Sequence, residues 1–445
     1  MIPRDKLKSK ACQEIDNNAE EIIRVVKTIL KIPELGFREI KTSKFVSEKF
    51  TELGITHRDG LARTGVKGTV NGGNEGPTVA VLGELDSLIV PTHPEADPET
   101  GAAHACGHNA QIGMIIGVAM GLTKSGILSS LSGRVAFIAV PAEEYIEIEF
   151  REGLRKEGEI SYLGGKAELT KLGEFDDIDM AMITHTASTA VMRRRLIGVG
   201  GTSNGCLAKQ IQFIGRGAHA GAAPYAGVNA LNAAMIALSA IHTQRETFKD
   251  TDTVRVHPII TKGGEVVNIV PDDVRMETFV RGKTLDAIKD ANEKVDRALR
   301  AGALAVGGSV KINTLPGYLP MVSDKNLQAV YRANAFSLVG KNKVAPSGRH
   351  GTGSTDMGDI SHIMPAIHPY TAGASGTSHG NDYLIEDYNL AVLNPAKIMA
   401  MTVIDLLAEG AIKGQEVLKQ HKAIMTKQEY LDLMESLRTE EEYSG

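Results

Sequence analysis

The chain has 445 residues, of which 42% are hydrophobic, with a formal net charge of −5. A chain of this length exceeds one ordinary hydrophobic core, so we expect two domains. Because no long run of Lys and Arg occurs, the sequence predicts neither a nucleic-acid partner nor binding to an anionic membrane. The N-terminal segment lacks the apolar stretch of a signal peptide, and no membrane span is expected, so we predict a cytoplasmic protein. Three widely spaced cysteines favour reduced thiols over disulfides.

Apolar residues at helical spacing predict helices over residues 18–30 and 40–53. Short apolar strands follow at 78–83, 134–140 and 180–184, and a further helix, over about 109–124, lies between the first two of them. Strands that alternate with helices are typical of a mainly parallel sheet covered on both faces. The sequence therefore predicts an α/β fold with helices on both faces of the sheet.

Residues 206–314 follow a different order of elements. The predicted order is a strand "CLAKQIQFIG", a helix over 226–245, two strands "TVRVHPII" and "VRMETFVRG", a helix over 284–303 and a strand "SVKINTL". This β-α-β-β-α-β order is typical of a split βαβ domain. Because patterns of the first kind resume after about residue 320, we predict an inserted βαββαβ domain over 201–316, between two parts of the first domain at 1–200 and 317–445. The tail after residue 414 is predicted to be a polar, charged and peripheral helix.

Reactive side chains follow the predicted strands of the first domain. "GELDS" (83–87), "PAEEY" (141–145) and "THT" (184–186) each come directly after a strand, and "HACGHN" (104–109) precedes a helix. In open α/β sheets the crevice at the carboxyl ends of the strands is the usual ligand site. We therefore expect acidic, thiol and imidazole groups to gather at this edge.

Taken singly, these residues have ordinary interpretations. A buried cysteine is usually a small core residue, adjacent glutamates after a strand usually begin a solvated helix, and a lone histidine is usually structural. Taken together, soft and borderline ligands that converge on one crevice predict a transition-metal site, with zinc or manganese as the leading metals. The candidate ligands are Cys106, His108, Glu144, His185 and, in the Gly-rich "AGASGTSHGND", His379.

The order of these motifs resembles that of the dinuclear-metal aminoacylase and dipeptidase family. "HACGHN", "PAEE", a later "TH", "GRGAHAGAAP", "NIVPD" and a C-terminal "GTSH" occur in this order, and "IPELGFREIKTSKFVSEKF" is similar to the hippurate hydrolase and auxin-conjugate amidohydrolase branch. The resemblance extends from about residue 20 to residue 408. It implies two divalent metal ions per subunit. It also implies that the inserted domain at 201–316 is a lid domain, that the parts at 1–200 and 317–445 are catalytic, and that a homodimer forms through the lid domain, with a higher oligomer left open.

The resemblance also implies roles for individual residues of the catalytic domain. It makes Cys106, His108, Glu144, His185 and His379 the metal ligands. Glu143 matches the general base, and Asp86 matches a carboxylate that supports the metal ligands. A glutamate beside activated water is suited to accept its proton. Glu84 stands where many relatives outside this branch have a histidine ligand, and we expect the Cys106 thiolate to compensate.

The inserted domain is expected to supply the rest of the site. His219 in "GAHAG" matches a histidine that reaches across a dimer to polarise the scissile carbonyl. Asn268 in "NIVPD" and Arg281 match groups that hold a substrate carboxylate, which suits the planar guanidinium. The alternatives are a loop-capping role for His219 and a plain strand-end charge for Arg281. The segment 348–359, "GRHGTGSTDMGD", is either a backbone cradle or a surface loop.

Two segments are longer than the branch leads us to expect. The segment between Glu144 and His185 and the loop between 83 and 104 both look expanded, which weakens inference about the substrate but not about the metal chemistry.

We predict a metal-dependent amidohydrolase that cleaves N-acyl or N-aroyl amino acids or small dipeptides, with a small substrate that carries a carboxylate. One alternative is an aminohydrolase that releases ammonia from a small aromatic amine. The other is a non-catalytic metal-binding scaffold, against which the presence of Glu143 and of all five candidate ligands counts.

Overall fold

The computed structural model describes residues 2–346 and 348–445. The helices are α1 (Arg4–Asn17), α2 (Ala19–Leu30), α3 (Ile40–Glu52), α4 (His108–Lys124), α5 (Ile148–Lys156), α6 (Gly165–Lys171), α7 (Thr189–Met192), α8 (Ala230–Thr243), α9 (Leu285–Val306), α10 (Lys325–Val339), α11 (Met357–Ile363), α12 (Asn394–Leu407), α13 (Ile412–Gln420) and α14 (Lys427–Ser436). The strands are β1 (Thr56–Leu61), β2 (Gly65–Asn71), β3 (Asn74–Glu84), β4 (Leu88–Ile89), β5 (Ala102–Ala103), β6 (Ser132–Val140), β7 (Met180–Met182), β8 (His185–Ser188), β9 (Ile197–Gly198), β10 (Thr202–Ser203), β11 (Gly205–Ile214), β12 (Arg255–Val256), β13 (Ile259–Lys262), β14 (Asp273–Gly282), β15 (Ser309–Tyr318), β16 (His350–Gly351), β17 (Ala366–Ile367), β18 (Tyr370–Ser375), β19 (Leu384–Ile385) and β20 (Thr439–Ser444).

The central sheet has the strand order β1-β2-β6-β3-β7-β17. Strands β6, β3, β7 and β17 run parallel to one another, whereas β2 is antiparallel to both β1 and β6. The predicted α/β fold with a mainly parallel sheet is therefore confirmed. The antiparallel hairpin at one edge is an addition that the sequence pattern did not predict.

Alternate residues of β3 enter two different cores. Val79 and Val81 pack in a core that also contains residues of α4 and α12, and Ala80 and Leu82 pack in a second core with residues of α6 and α11. Full burial of a Val or Leu side chain stabilises the fold by about 1.5–3 kcal/mol. Both faces of the sheet are thus covered, which leaves the strand ends as the accessible edge.

One helix in the described part of the chain, Asn389–Leu407, is long and apolar enough to cross a membrane by length and composition. Within the fold, however, 83% of its most apolar window is buried. Residues of α12 pack against α4 in the larger core of the central sheet. This segment is therefore a core helix.

The second sheet forms the lid domain. Its strands lie in the order β12-β14-β11-β15-β20, with β13 also paired to β14, and α8 and α9 pack on one face. The predicted β-α-β-β-α-β order is confirmed. The predicted strand "TVRVHPII" is interrupted at His257 and Pro258 and forms β12 and β13 instead. Proline has no backbone N–H to donate to a neighbouring strand, which explains the break.

The C-terminal tail differs from the predicted peripheral helix. It forms α13, α14 and β20, and β20 pairs antiparallel with β15 of the lid sheet from Ser309↔Ser444 to Thr314↔Thr439. On α14, Tyr430 is fully buried in a cluster with Tyr162 and Leu207. The tail therefore connects the two sheets of the molecule. The glutamates of "TEEEYS" conceal this strand, because an edge strand tolerates charges on its exposed side chains.

Replacement of Tyr430 by alanine should destabilise the protein by about 3–5 kcal/mol, the usual cost of truncating a large buried aromatic side chain. The matched control is Ile424→Ala in the same tail, where the side chain is 52% exposed and the change should be close to neutral. Urea unfolding followed by circular dichroism measures both effects. Equal midpoints for the two variants would contradict the burial of the tail.

Candidate metal centre

The predicted ligands come from separate segments that meet at the carboxyl edge of the central sheet. Glu84 is the last residue of β3, Glu143 and Glu144 follow β6, and His185 comes shortly after β7 and begins β8. Cys106 lies just before α4. The arrangement is the one expected of parallel strands, whose carboxyl ends share one edge.

Gly107 separates Cys106 from His108 and has a left-handed backbone with φ of +92°. A Cβ atom at this position would lie 2.2 Å from Thr186 Oγ1, so glycine alone fits here. The turn places the Cys106 thiol and the His108 imidazole beside the same imidazole, that of His185. Sγ of Cys106 lies 3.2 Å from Nε2 of His185.

Three sets of potential ligand atoms each lie within 4.8 Å of one another. The sets are Cys106 with His108 and His185, Cys106 with Glu144 and His379, and Glu84 with His108 and Glu143. The first two sets contain the five predicted ligands and share the Cys106 thiol. The five residues would therefore suit two neighbouring divalent cations.

His379 arrives from a distant loop. Its backbone N–H donates to the carbonyl of Ala105 at 2.8 Å, and its backbone is left-handed, with φ of +67°. Nε2 of His379 lies 3.3 Å from Oε1 of Glu144, and the side chain is 54% exposed. The backbone contact thus holds this imidazole beside the cysteine loop, on the open side of the cluster.

Several buried ligand atoms of the cluster have no hydrogen-bond partner among the described residues. They are Oε2 of Glu84, Nε2 of His108 and Oε1 of Glu144. A buried polar atom without a partner costs about 1–3 kcal/mol, so three of them side by side fit a site that binds a divalent cation. Sulfur, imidazole and carboxylate donors together fit zinc and other borderline divalent metals.

Asp86 orients two of the predicted ligands. Nδ1 of His108 lies 3.0 Å from the Asp86 carbonyl oxygen and 3.1 Å from its Oδ1. Both atoms are acceptors, so Nδ1 carries the hydrogen and Nε2 is left to face the cluster. The backbone N–H of Glu144 donates to Oδ2 of the same aspartate at 2.8 Å.

The local charges favour a thiolate at Cys106. Burial and Glu144 raise the pKa of this thiol, but His185 and His108 outweigh them and lower it to about 6. Burial lowers the pKa of His379, but the adjacent Cys106 thiol and Glu144 carboxylate raise it to about 11. The thiolate is the form of cysteine that binds metals. Cation binding would release protons from the imidazoles.

Glu143 lies beside the cluster on a rigid turn. Its Oε2 is 3.9 Å from Nε2 of His108, and its backbone carbonyl accepts a hydrogen bond from the Tyr318 hydroxyl. The preceding Ala142 has φ of +52° and donates its N–H to Oε1 of Glu39 at 2.7 Å. Burial and the neighbouring Glu84 and Glu144 charges raise the pKa of Glu143 well above its ordinary value, as suits a proton acceptor.

The long segment after Glu144 is folded onto the site and contributes residues that the sequence did not reveal. Arg151 on α5 is fully buried and donates to the carbonyls of Leu163, at 2.7 Å, and of Glu144. Lys166 on α6 is also fully buried and contacts Glu84. The only signal in the sequence is the unusual length of this segment.

The lid residues lie apart from the cluster within one subunit. His219 and Asn268 are neighbours, since the N–H of Ala220 donates to the Asn268 carbonyl at 2.9 Å, and both side chains are exposed. Arg281 lies near the end of β14, with its guanidinium 4.9 Å from the centre of the Phe279 ring. No hydrogen bond or ion pair within residues 2–346 and 348–445 links His219, Asn268 or Arg281 to the ligand sets.

The segment 348–359 divides into two parts. Its Gly-rich beginning is mostly exposed, whereas Asp356 and Asp359 are fully buried. Asp359 Oδ1 accepts the N–H of Leu319 at 2.8 Å, and Asp356 contacts Lys166. The second part is therefore an anchored helix start.

Known proteins resemble this chain over nearly its whole length. Residues 203–306 match the peptidase dimerisation domain family. The Xaa-Arg dipeptidase of Mus musculus is 26% identical over 446 residues, which cover 96% of this chain and 94% of the dipeptidase. The N-acetyl-L-cysteine deacetylase of Bacillus subtilis is 25% identical over 70% of this chain and 71% of its own. The IAA-amino acid hydrolase ILR1-like 2 of Arabidopsis thaliana is 24% identical over 88% of this chain and 87% of its own.

Solved structures show the same fold. The Bacillus subtilis YXEP protein, a dinuclear metal binding peptidase from the M20 family, has a TM-score of 0.63 at 20% identity and covers 87% of this chain and 98% of its own. The aminobenzoyl-glutamate utilization protein from Klebsiella pneumoniae has a TM-score of 0.65 at 16% identity, with coverage of 88% and 97%. With a peptidase dimerisation domain at residues 203–306 and similarity to a dipeptidase and to an IAA-amino acid hydrolase over most of its length, the chain resembles the dinuclear-metal aminoacylase and dipeptidase family, as its motifs predicted.

Proposed function

We propose that this protein is a metal-dependent amidohydrolase that cleaves the amide bond of N-acyl or N-aroyl amino acids or of small dipeptides. The observation that carries the proposal is the pair of ligand sets that share Cys106, with the buried Glu143 carboxylate beside them. The names of the relatives, a dipeptidase, a deacetylase and an amino acid hydrolase, support this reaction class. The protein is proposed to act in the cytoplasm, on a small molecule.

The five predicted ligands Cys106, His108, Glu144, His185 and His379 would hold two divalent cations, with zinc or manganese proposed. When bound, the cations supply an activated water and stabilise the charge that develops on the carbonyl oxygen. Glu143 accepts the proton of the attacking water at its carboxylate and delivers it to the departing nitrogen. Asp86 keeps His108 and Glu144 in place during this transfer.

His219 is proposed to donate a hydrogen bond to the scissile carbonyl. Its Nδ1 accepts the N–H groups of Gly221, at 3.2 Å, and of Ala222, at 3.1 Å. The ring proton therefore resides on Nε2, which leaves an N–H donor for the carbonyl oxygen. Since no hydrogen bond or ion pair among the described residues joins His219 to the ligand sets, we propose that it serves the site of a second subunit.

The lid offers one open edge for such a homodimer. Strand β20 covers the β15 edge of the lid sheet, whereas β12 and β13 lie at the opposite edge. Large apolar side chains are exposed here, with Ile259 at 60%, Ile260 at 41% and Val267 at 99%. An open strand edge beside apolar surface favours pairing with a second copy.

Arg281 and Asn268 are proposed to bind the substrate carboxylate. Contact with the Phe279 ring limits the freedom of the Arg281 guanidinium, whose planar fork matches a carboxylate. Phe279 in turn contacts Tyr145, the residue after Glu144, with ring centres 5.9 Å apart. This chain of contacts relates the proposed carboxylate site to the catalytic turn.

Removal of the metal by chelation should abolish hydrolysis while most of the fold persists, because the hydrophobic cores do not depend on the ligand cluster. Zinc, manganese or cobalt should restore the activity. A panel of N-acyl amino acids, dipeptides and aromatic amines, assayed for free amino acid and for ammonia, tests the substrate class. Full activity in metal-free protein would contradict the metal mechanism, and release of ammonia alone would favour the aminohydrolase.

A further inference from the structure

We propose that Glu84 is a sixth metal-ligating side chain, which Lys166 holds in place. This inference rests on the proposed metal centre and adds to it a residue outside the five predicted ligands. It also assigns a role to the long segment after Glu144, since Lys166 comes from that segment.

The Glu84 carboxylate is fixed at one oxygen and free at the other. The side chain is fully buried, and Oε1 accepts a hydrogen bond from Nζ of Lys166 at 2.6 Å. The backbone N–H of Glu84 donates to Oε1 of Gln111 at 2.8 Å, which fixes the main chain at this point. Oε2 has no hydrogen bond and lies 3.2 Å from Nε2 of His108.

Two facing acceptor atoms at this distance indicate a cation. Asp86 accepts the hydrogen on Nδ1 of His108, so in the neutral imidazole, the form that binds metals, Nε2 presents a lone pair. Oε2 of Glu84 presents another lone pair at 3.2 Å, and the two atoms are not aligned as a hydrogen bond. Both are buried away from water. A metal ion that accepts both lone pairs removes this conflict.

The balance of buried charges around Glu84 also favours a cation at this position. The side chains of Lys166, Glu84 and Asp356 are all fully buried. The Lys166 ammonium contacts both carboxylates. One ammonium therefore faces two carboxylates, so Lys166 alone leaves one buried negative charge for another cation to balance. Such a charge is costly unless it is paired or coordinates a metal. Glu143 adds a further carboxylate 3.9 Å from the same His108 nitrogen.

The competing explanation is that Glu84 serves only as a counter-ion for Lys166. Asp356 provides the matched control, because it is equally buried, contacts the same ammonium and also accepts the Lys166 backbone N–H at 3.0 Å. Asp356 belongs to none of the three ligand sets. The two carboxylates therefore differ in where the second oxygen lies: that of Asp356 accepts the Lys166 backbone N–H, whereas that of Glu84 faces the cluster.

The test compares Glu84→Gln with Asp356→Asn in the full-length protein. Calorimetric titration with Zn²⁺ or Mn²⁺, together with elemental analysis after dialysis, measures how many ions bind and how tightly. Loss of a residue that only supports a metal ligand weakens metal binding about tenfold to a hundredfold. Glu84→Gln removes a ligand, so it should weaken the binding of one ion by at least this factor. Asp356→Asn should retain both ions with little loss of affinity.

Thermal unfolding separates a ligand from a structural residue. A ligand contributes to the rise in Tm that the metal produces, because an ion that binds only the folded state stabilises it by mass action. Glu84→Gln should lose part of this rise and keep a metal-free Tm near that of the parent. Glu84→Asp keeps the charge and shortens the side chain, so it too should weaken one ion, which gives a second measurement if Glu84→Gln does not fold.

Three results would overturn the role of Glu84. They are unchanged binding of both ions in Glu84→Gln, equal losses of metal in Glu84→Gln and Asp356→Asn, and a fall in Tm that is the same with and without metal. Failure of the proposed metal centre looks different, because the parent protein would then bind no divalent ions at all.

Discussion

Replacement of Glu143 by glutamine should lower turnover about a hundredfold to ten-thousandfold, the range that general-base catalysis supplies. Glutamine has nearly the same size as glutamate, and the turn that carries it is held by backbone contacts to Tyr318 and Glu39. The substitution therefore removes the proton acceptor and little else. We expect metal content and Tm close to those of the parent protein.

The controls are substitutions of predicted ligands. Cys106→Ala and His185→Ala remove two members of the first ligand set, so they should lower the metal content as well as the activity. Elemental analysis of each purified variant, beside its steady-state kinetics, distinguishes the two classes. If Glu143→Gln lost its metal as readily as the ligand variants, the assignment of base and ligand would have to be exchanged.

The fold was predictable where the hydrophobic pattern is strong. Alternation of short strands with helices predicted the parallel part of the central sheet, and the lid order followed from its strands and from α8 and α9. The C-terminal strand β20 was missed, because its charged side chains carry no apolar alternation. Its partner β15 lies more than a hundred residues earlier, and such long-range pairing leaves no local signal.

Part of the candidate site was predictable because the parallel strands themselves were predictable. Strand ends in a parallel sheet lie side by side, so the motifs that follow β3, β6 and β7 had to meet. Lys166 could not be found in this way, because a charged residue on a short helix is usually exposed. Its burial depends on Glu84 and Asp356, which are 82 and 190 residues away in the chain.

An active site shared between two subunits should be visible in a complementation experiment. His219→Ala lacks the proposed carbonyl donor, and Glu143→Gln lacks the proposed base, so each variant alone should be nearly inactive. A mixed dimer contains one site with the intact Glu143 of one subunit and the intact His219 of the other. Its second site lacks both groups.

At equal amounts about half of the dimers are mixed, and each has one complete site, so activity should recover to roughly a quarter of the parent value. The variants are mixed, dissociated and allowed to re-associate, and subunit exchange is verified with a tagged copy. A mixture of Glu143→Gln with Cys106→Ala serves as the control. Both of these lesions lie in the same ligand cluster, and each keeps His219, so one site of their mixed dimer lacks Glu143 and the other lacks Cys106. This mixture should therefore stay inactive. If the His219 mixture were equally inactive despite exchange, His219 would act within its own subunit or have no part in the reaction.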